Sequence, residues 1–347
     1  MGGGCRECIG DHSLQCTSSM RYFSTMSLGS TRHFLIHESR LAVVVCCLGY
    51  LVCSLALFKI TGLSTADAEA MGFDSQDHLL GLILLMSLLP AWLIGCMFVT
   101  HRNSLTIARG LDADLARRVS NVPGAYLYIG ALGGCFYALA FNVPITHYRL
   151  VLEGDGPMIG IFVGQVLVWV FVGWMLSVRL YVGNQFYAFG KTVPITVFDQ
   201  SGLRSFARVG LLDVAIIIGC IALSTVQSID AQFRIYNYLT AILVAVPATI
   251  ALLIRPMWSV HVRLQKRKHE LQAEIAQQIQ QAPESSDRES IIALEELLER
   301  RDRVRALNTW PLDFSIWSRL LFYGLIPPLA WIAAALVEVV VERALGA

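Results

Sequence analysis

The chain reads as an all-α, polytopic integral membrane protein: a bundle of seven transmembrane helices with a cytoplasmic antiparallel helical hairpin between the sixth and the seventh. Three observations lead there. Seven long apolar runs, almost free of charge, cover most of the length. The composition, 55% hydrophobic and 15% charged, lies well outside the balance of soluble domains. Lys and Arg alternate between successive connections, which is how positive-inside bias sets topology.

The runs are 41–58, 79–99, 122–146, 157–178, 214–229, 235–254 and 320–337. Each approaches the roughly 20 residues an α-helix needs to cross about 30 Å of hydrocarbon, where no water satisfies the backbone. Before the first run stand Arg6, Arg21, Arg32 and Arg40. The first connection, over 61–78, has no basic residue and carries Asp67, Glu69, Asp74 and Asp77. Arg102, Arg109, Arg117 and Arg118 follow in the second, Arg149 in the third, and Arg179, Lys191, Arg204 and Arg208 in the fourth. Arg234 stands alone in the fifth, 255–319 is the most basic segment, and Arg343 alone follows the last run. The expected topology puts the N-terminus in the cytoplasm and the C-terminus on the extracytoplasmic side of an inner or plasma membrane. The basic residues cluster beside membrane ends, where anionic headgroups are their natural partners, so nucleic acid is not an expected one.

Residues 1–40 read as a cytoplasmic leader, disordered at its start, and the first helix as an uncleaved insertion signal. Cys5, Cys8, His12 and Cys16 form C-x2-C-x3-H-x3-C, a weak candidate set of zinc ligands. It resembles a zinc knuckle with each of the two longer gaps one residue short, and a leader without metal is the expectation. Met20 and Met26 are alternative starts, and Arg6 stands where a myristoylation pattern wants Ser or Thr. Cys46, Cys47, Cys53, Cys96, Cys135 and Cys220 fall inside crossings, where cysteine packs as a small apolar group, and no disulfide is expected.

Within 41–254, the six-helix membrane bundle, small residues at four-residue spacing mark close helix approach. Gly130, Gly134 and Ala138 form one stripe, Gly160 and Gly164 a second, and Ala330 and Ala334 a third on the last crossing. Pro90 and Pro247 lie inside crossings, and the pair Pro327 and Pro328 is the candidate hinge. Polar groups at depth are few. Asp213 is expected about one turn inside the fifth crossing, and Glu338 and Glu342 near the outer end of the seventh. Gln165 and Asn237 are the uncharged candidates, bonding across helices or lining a cavity. No buried histidine and no intramembrane Lys or Arg is expected, and His78, His101 and His147 read as surface residues beside membrane ends. A proton relay built of Asp, Glu and His is therefore not supported by the sequence.

Residues 255–317 read as the hairpin with an interfacial segment, and 318–347 as the seventh helix and its tail. Val260, Leu264, Leu271, Ile275 and Ile279 share one face of a helix continuing from the sixth crossing. Pro283 breaks it, and Ser286 with Glu289 makes a capping box ahead of Ile291, Leu294, Leu298 and Val304. Glu296 with Arg300 and Glu299 with Arg303 take the i,i+4 spacing of a solvated face. The hairpin is a self-contained spacer or an oligomerisation stalk. Trp310, Phe314 and Trp317, and separately 201–208 with Leu203 and Phe206, read as amphipathic pieces at the inner leaflet.

No catalytic signature is present: neither G-x-S-x-G, H-E-x-x-H, a Walker loop nor a Rossmann fingerprint. No enzyme activity and no cofactor are therefore expected. The expected partners are the lipid bilayer, further copies of the chain, and an ion or small-molecule ligand. Seven crossings, a cytoplasmic N-terminus and long helices between crossings six and seven resemble in architecture the insect chemoreceptor channels. The resemblance implies an oligomeric channel or receptor-like scaffold whose cytoplasmic helices assemble subunits and whose last crossing lines a pore, with Glu338 near its outer mouth. The last crossing, LLFYGLIPPLAWIAAALVEVVVE, lacks that family's Thr-Tyr and Gln-Phe signature, so no functional residue carries over. A secondary transporter is the alternative, with pseudo-symmetry between two sets of crossings as its mark.

Overall fold

The structure is a computed structural model that describes residues 40–143, 145–193, 203–228, 235–281, 288–307, 309–310 and 318. Among them the chain is almost wholly helical and holds no strand. Six of the helices are long and apolar enough to cross a membrane, and the protein is a multi-pass membrane protein. The run 320–337, with Pro327, Pro328, Glu338 and Glu342, lies outside the described residues, as does the leader with Cys5, Cys8, His12 and Cys16.

Helix α1 is Arg40–Ile60. Its outward side chains, Leu41, Val45 and Val52 among them, are exposed and apolar, which suits lipid. Helix α2, Gln76–Leu111, starts where the Ser75 hydroxyl accepts from the His78 amide at 3.1 Å. It continues through Pro90. Asp112 then ends α2 and caps α3, Ala113–Ser120, accepting from the Leu115 amide at 2.8 Å.

The third crossing, read as 122–146, is shorter. Helix α4 is Gly124–Tyr137, and a π turn, Ala138–Asn142, finishes it. Val143 is extended there, as a residue before proline prefers, and the chain passes into α5, Ile145–Leu152. Helix α6, Gly156–Gly190, is capped by Asp155 with proline in its first turn. Helix α7, Arg204–Ser224, ends in a 3-10 turn, Thr225–Ser228. Helix α8, Ile235–Gln281, runs unbroken through Pro247 and Pro256 for 47 residues. Helix α9 is Arg288–Ala306.

Helix α6 is the hub, packed on α2, α3, α4 and α8. Its tightest contact, with α4, uses the expected small-residue stripe. A Cβ on Gly130 would sit 2.6 Å from the Gly173 carbonyl oxygen, and one on Gly134 would meet the Trp169 carbonyl and come within 2.9 Å of Val170 Cα. Only glycine lets these backbones meet. Gly160 and Gly164 admit Leu63 and Met86 in the same way.

The helices α2, α6 and α8, of 36, 35 and 47 residues, outrun a membrane that about 20 residues cross. The surplus gathers at one end of the bundle, called here the Arg179 end, and is packed around Leu115, Val182, Phe186, Phe206, Met257 and Val260. The opposite Asp74 end has its own core of Phe58, Leu63, Leu79, Met86 and Met158. Of the segment 201–208, expected on the membrane surface, 203–208 form the cap and first turns of α7, with Leu203 and Phe206 buried in the Arg179-end core. The burial available between α6 and α8 exceeds what an interface could offer those side chains.

Beyond the bundle, α9 returns along α8. Lys268 donates to the carbonyl oxygens of Arg305 and Leu307 at 2.8 and 2.7 Å, satisfying the last carbonyls of α9, and the His261 ring stacks on Trp310 at 4.0 Å. Glu299 accepts from Arg303 at 2.5 Å, one of the two pairs expected. Arg263 caps the end of α6, donating to the carbonyl oxygens of Gly190 and Val193 at 3.0 and 2.7 Å.

Candidate ligand cavity and the ion pair beneath it

Between α2, α6, α7 and α8 the Asp74 end is hollow. A cavity of about 460 Å³ lies there, within the range of small-molecule sites. Polar groups gather at its mouth: Asp74 from the turn before α2, His78 from the first turn of α2, Asn142 from the π turn, Gln227 from the 3-10 turn and Thr240 from α8. Thr240 donates to Asn142 Oδ1 at 3.2 Å, and the Tyr137 hydroxyl donates to the Thr240 carbonyl at 2.8 Å. Deeper, the wall is apolar, made of Met86, Leu89, Val172, Met175, Ile217 and Ala248. From His78 to Leu89 the cavity follows α2 for about 16 Å at 1.5 Å per residue.

Gln165, one of the polar residues singled out by sequence, is part of this wall. Its Oε1 is buried and has no hydrogen-bond partner among the described residues. The cavity-lining alternative thus describes it better than a bond across helices. Asn237 lies in the first turn of α8, and its side chain is outside what the structure describes.

The same helix faces that line the cavity close it below. Met175 forms part of the floor, and Arg179 follows one turn later on α6; Ile217 lines the wall, and Asp213 lies one turn away on α7. Arg179 and Asp213 are fully buried and bonded to each other, Nε to Oδ1. Arg179 Nη2 also donates to Ser104 Oγ of α2 at 2.9 Å. One guanidinium therefore ties α2, α6 and α7 together. Beneath it Phe186 and Phe189 pack on Phe206, with ring centroids 5.9 and 6.2 Å apart. The Arg179 end is filled.

Several expectations change here. Asp213, expected about one turn inside the fifth crossing, is fully buried and lies more than two turns into α7, which begins at Arg204, ten residues before the apolar run. Arg179, assigned by sequence to a connection, sits inside α6, which continues to Gly190. His101, read as a surface residue, is 1% exposed, and neither ring nitrogen has a hydrogen-bond partner among the described residues. His78 is also buried, 4.0 Å from Asp74. The missed signal for Arg179 was the apolar stripe Met175, Val178, Val182 and Phe186, which carries the helical period straight past it.

Among the described residues no His, Cys, Asp and Glu side chains converge to hold a metal. Cys46, Cys47, Cys53, Cys96, Cys135 and Cys220 are free thiols, and Cys220 lines the cavity. No family model matches the chain, and neither a curated protein nor a solved structure does.

Proposed function

We propose that this is a receptor-like multi-pass membrane protein that takes a small molecule into the cavity at the Asp74 end. One observation carries the reading: a cavity of about 460 Å³ with an apolar depth, polar groups at its mouth and a buried acceptor in its wall is how ligand sites are built. Its wall draws on four helices, so an occupant shifts their packing. A pore through the described helices has less support, because the Arg179 end is packed. The channel reading rests on the last crossing, with Glu338 and Glu342 at its outer end.

The seven-crossing topology belongs to the same proposal. The Arg179 end gathers Arg102, Arg109, Arg117, Arg118, Lys191, Arg255 and Arg263, which favours the cytoplasm, and the Asp74 end is acidic and faces outside. The α8 overhang and α9 then form the cytoplasmic hairpin. Ile291 and Ile292, 57% and 55% exposed, favour its use as an assembly stalk for further copies.

A second reading, a secondary transporter, has its own support: the cavity opens toward one end and a buried ion pair across three helices seals the other. The discriminating experiment uses the full chain in nanodiscs and in liposomes. Small amphiphiles are screened for a rise in unfolding midpoint that Ala245→Phe, which narrows the cavity, abolishes. Uptake of the same compound into liposomes would favour the transporter; binding without uptake favours the receptor. If no compound stabilises the protein in a way that Ala245→Phe removes, the cavity is not a ligand site.

A further inference from the structure

We infer that the ligand is a cationic amphiphile, an organic ammonium or amine with an apolar body, oriented with its charge toward Asp74. This rests on the reading of the cavity as a ligand site and adds the chemical class. The first support is charge. Among the described residues the Asp74 end carries Asp67, Glu69, Asp74, Asp77, Glu153 and Asp155 against only Lys59 and Arg149. Arg149 is already bonded to Glu153 at 2.8 Å. A low-dielectric cleft with one sign of charge at its mouth focuses that field and concentrates the opposite ion.

The second support is the wall. Phe73, Phe141 and Trp169 present aromatic rings to the cavity, surfaces that attract organic cations. Among the described residues no Lys or Arg lines it, so none of them balances a carboxylate ligand, and the apolar depth is costly for any charge. The third is direction: Asp74, with His78 4.0 Å away, is exposed at the mouth while Met86, Leu89, Met175 and Ile217 lie below it, so the two halves of an amphiphile meet matching surroundings in one orientation only.

Cys220, a thiol in the cavity wall, supplies the test. The full chain in zwitterionic nanodiscs is treated with a trimethylammonium-ethyl and a sulfonato-ethyl methanethiosulfonate, each rate divided by its rate on free mercaptoethanol. Peptide mass mapping separates Cys220 from the other cysteines. The expected result is a preference for the cation of about tenfold, the lower end of what a focusing cleft gives. Asp74→Asn should move the ratio toward one and Asp74→Glu should keep it, with unfolding midpoints showing that both variants fold. Octylammonium should slow the reaction at Cys220 where octan-1-ol does not. Equal corrected rates, with both octyl compounds protecting alike, would overturn the cation and leave the ligand cavity standing. Cys220 that reacts only after unfolding would remove the accessible cavity, and both readings with it.

Discussion

The two halves of this bundle are built from the same helices and behave as opposites. At the Asp74 end α2, α6, α7 and α8 enclose an open cavity; at the Arg179 end the same four helices close on an ion pair and a cluster of phenylalanines. The difference lies in what each helix presents along one stripe. On α6, Gly164, Gln165 and Val172 give way to Arg179, Val182 and Phe186; on α7, Cys220 and Ser224 contrast with Phe206 and Asp213. Helix packing holds the backbones at nearly fixed separation, so side-chain volume decides whether the space between them is filled. One end is left open, and the other is held by close packing.

The largest test of that contrast is the ion pair. Replacing Asp213 by Ala, or Arg179 by Met, leaves a buried charge without its partner and should cost about 3–5 kcal/mol in reversible unfolding. Combining Asp213→Leu with Arg179→Met should recover most of the loss; a double variant as unstable as the singles would mean that the pair does not act as a unit. Nearly as large is Phe206→Ala, at about 3–5 kcal/mol, because it empties space in the packed end. A loss below about 1 kcal/mol would show that this end is not close-packed.

Gly134→Ala should cost about 1–3 kcal/mol, since its Cβ would press on the α6 backbone at Trp169. Retained stability would show that α4 and α6 separate easily. Smallest is Ala245→Phe at the cavity wall, expected to change stability by less than about 1 kcal/mol because the ring enters space already empty. An effect as large as that of Phe206→Ala would mean that the cavity is collapsed in the membrane.

Much of the fold was legible, because hydrocarbon demands long uncharged helices and leaves few alternatives. The runs found α1, α2, α4, α6, α7 and α8, and the stripe of Gly130, Gly134 and Ala138 marked the face of α4 that packs closely, without naming α6 as its partner. Their lengths were less legible. Hydropathy falls where a helix leaves lipid, but α2, α6, α7 and α8 continue or begin beyond that point against one another. The site was legible only in fragments: Gln165 and Asp213 were singled out separately, while Arg179, Ser104 and His101 were not.

The sequence by itself determined that the chain is a multi-pass helical membrane protein, since apolar length and composition answer to the bilayer, a solvent common to all such chains. It also determined which faces carry glycine, and hence where helices come closest. Only the tertiary structure decided that Arg179 meets Asp213 34 positions away and Ser104 75 positions away, and that Gln165, Cys220 and Asp74 share a cavity. Those pairings depend on which helix lies beside which, and on how far each is rotated about its own axis. Contacts summed over the whole bundle set both, and no local stretch of sequence records them.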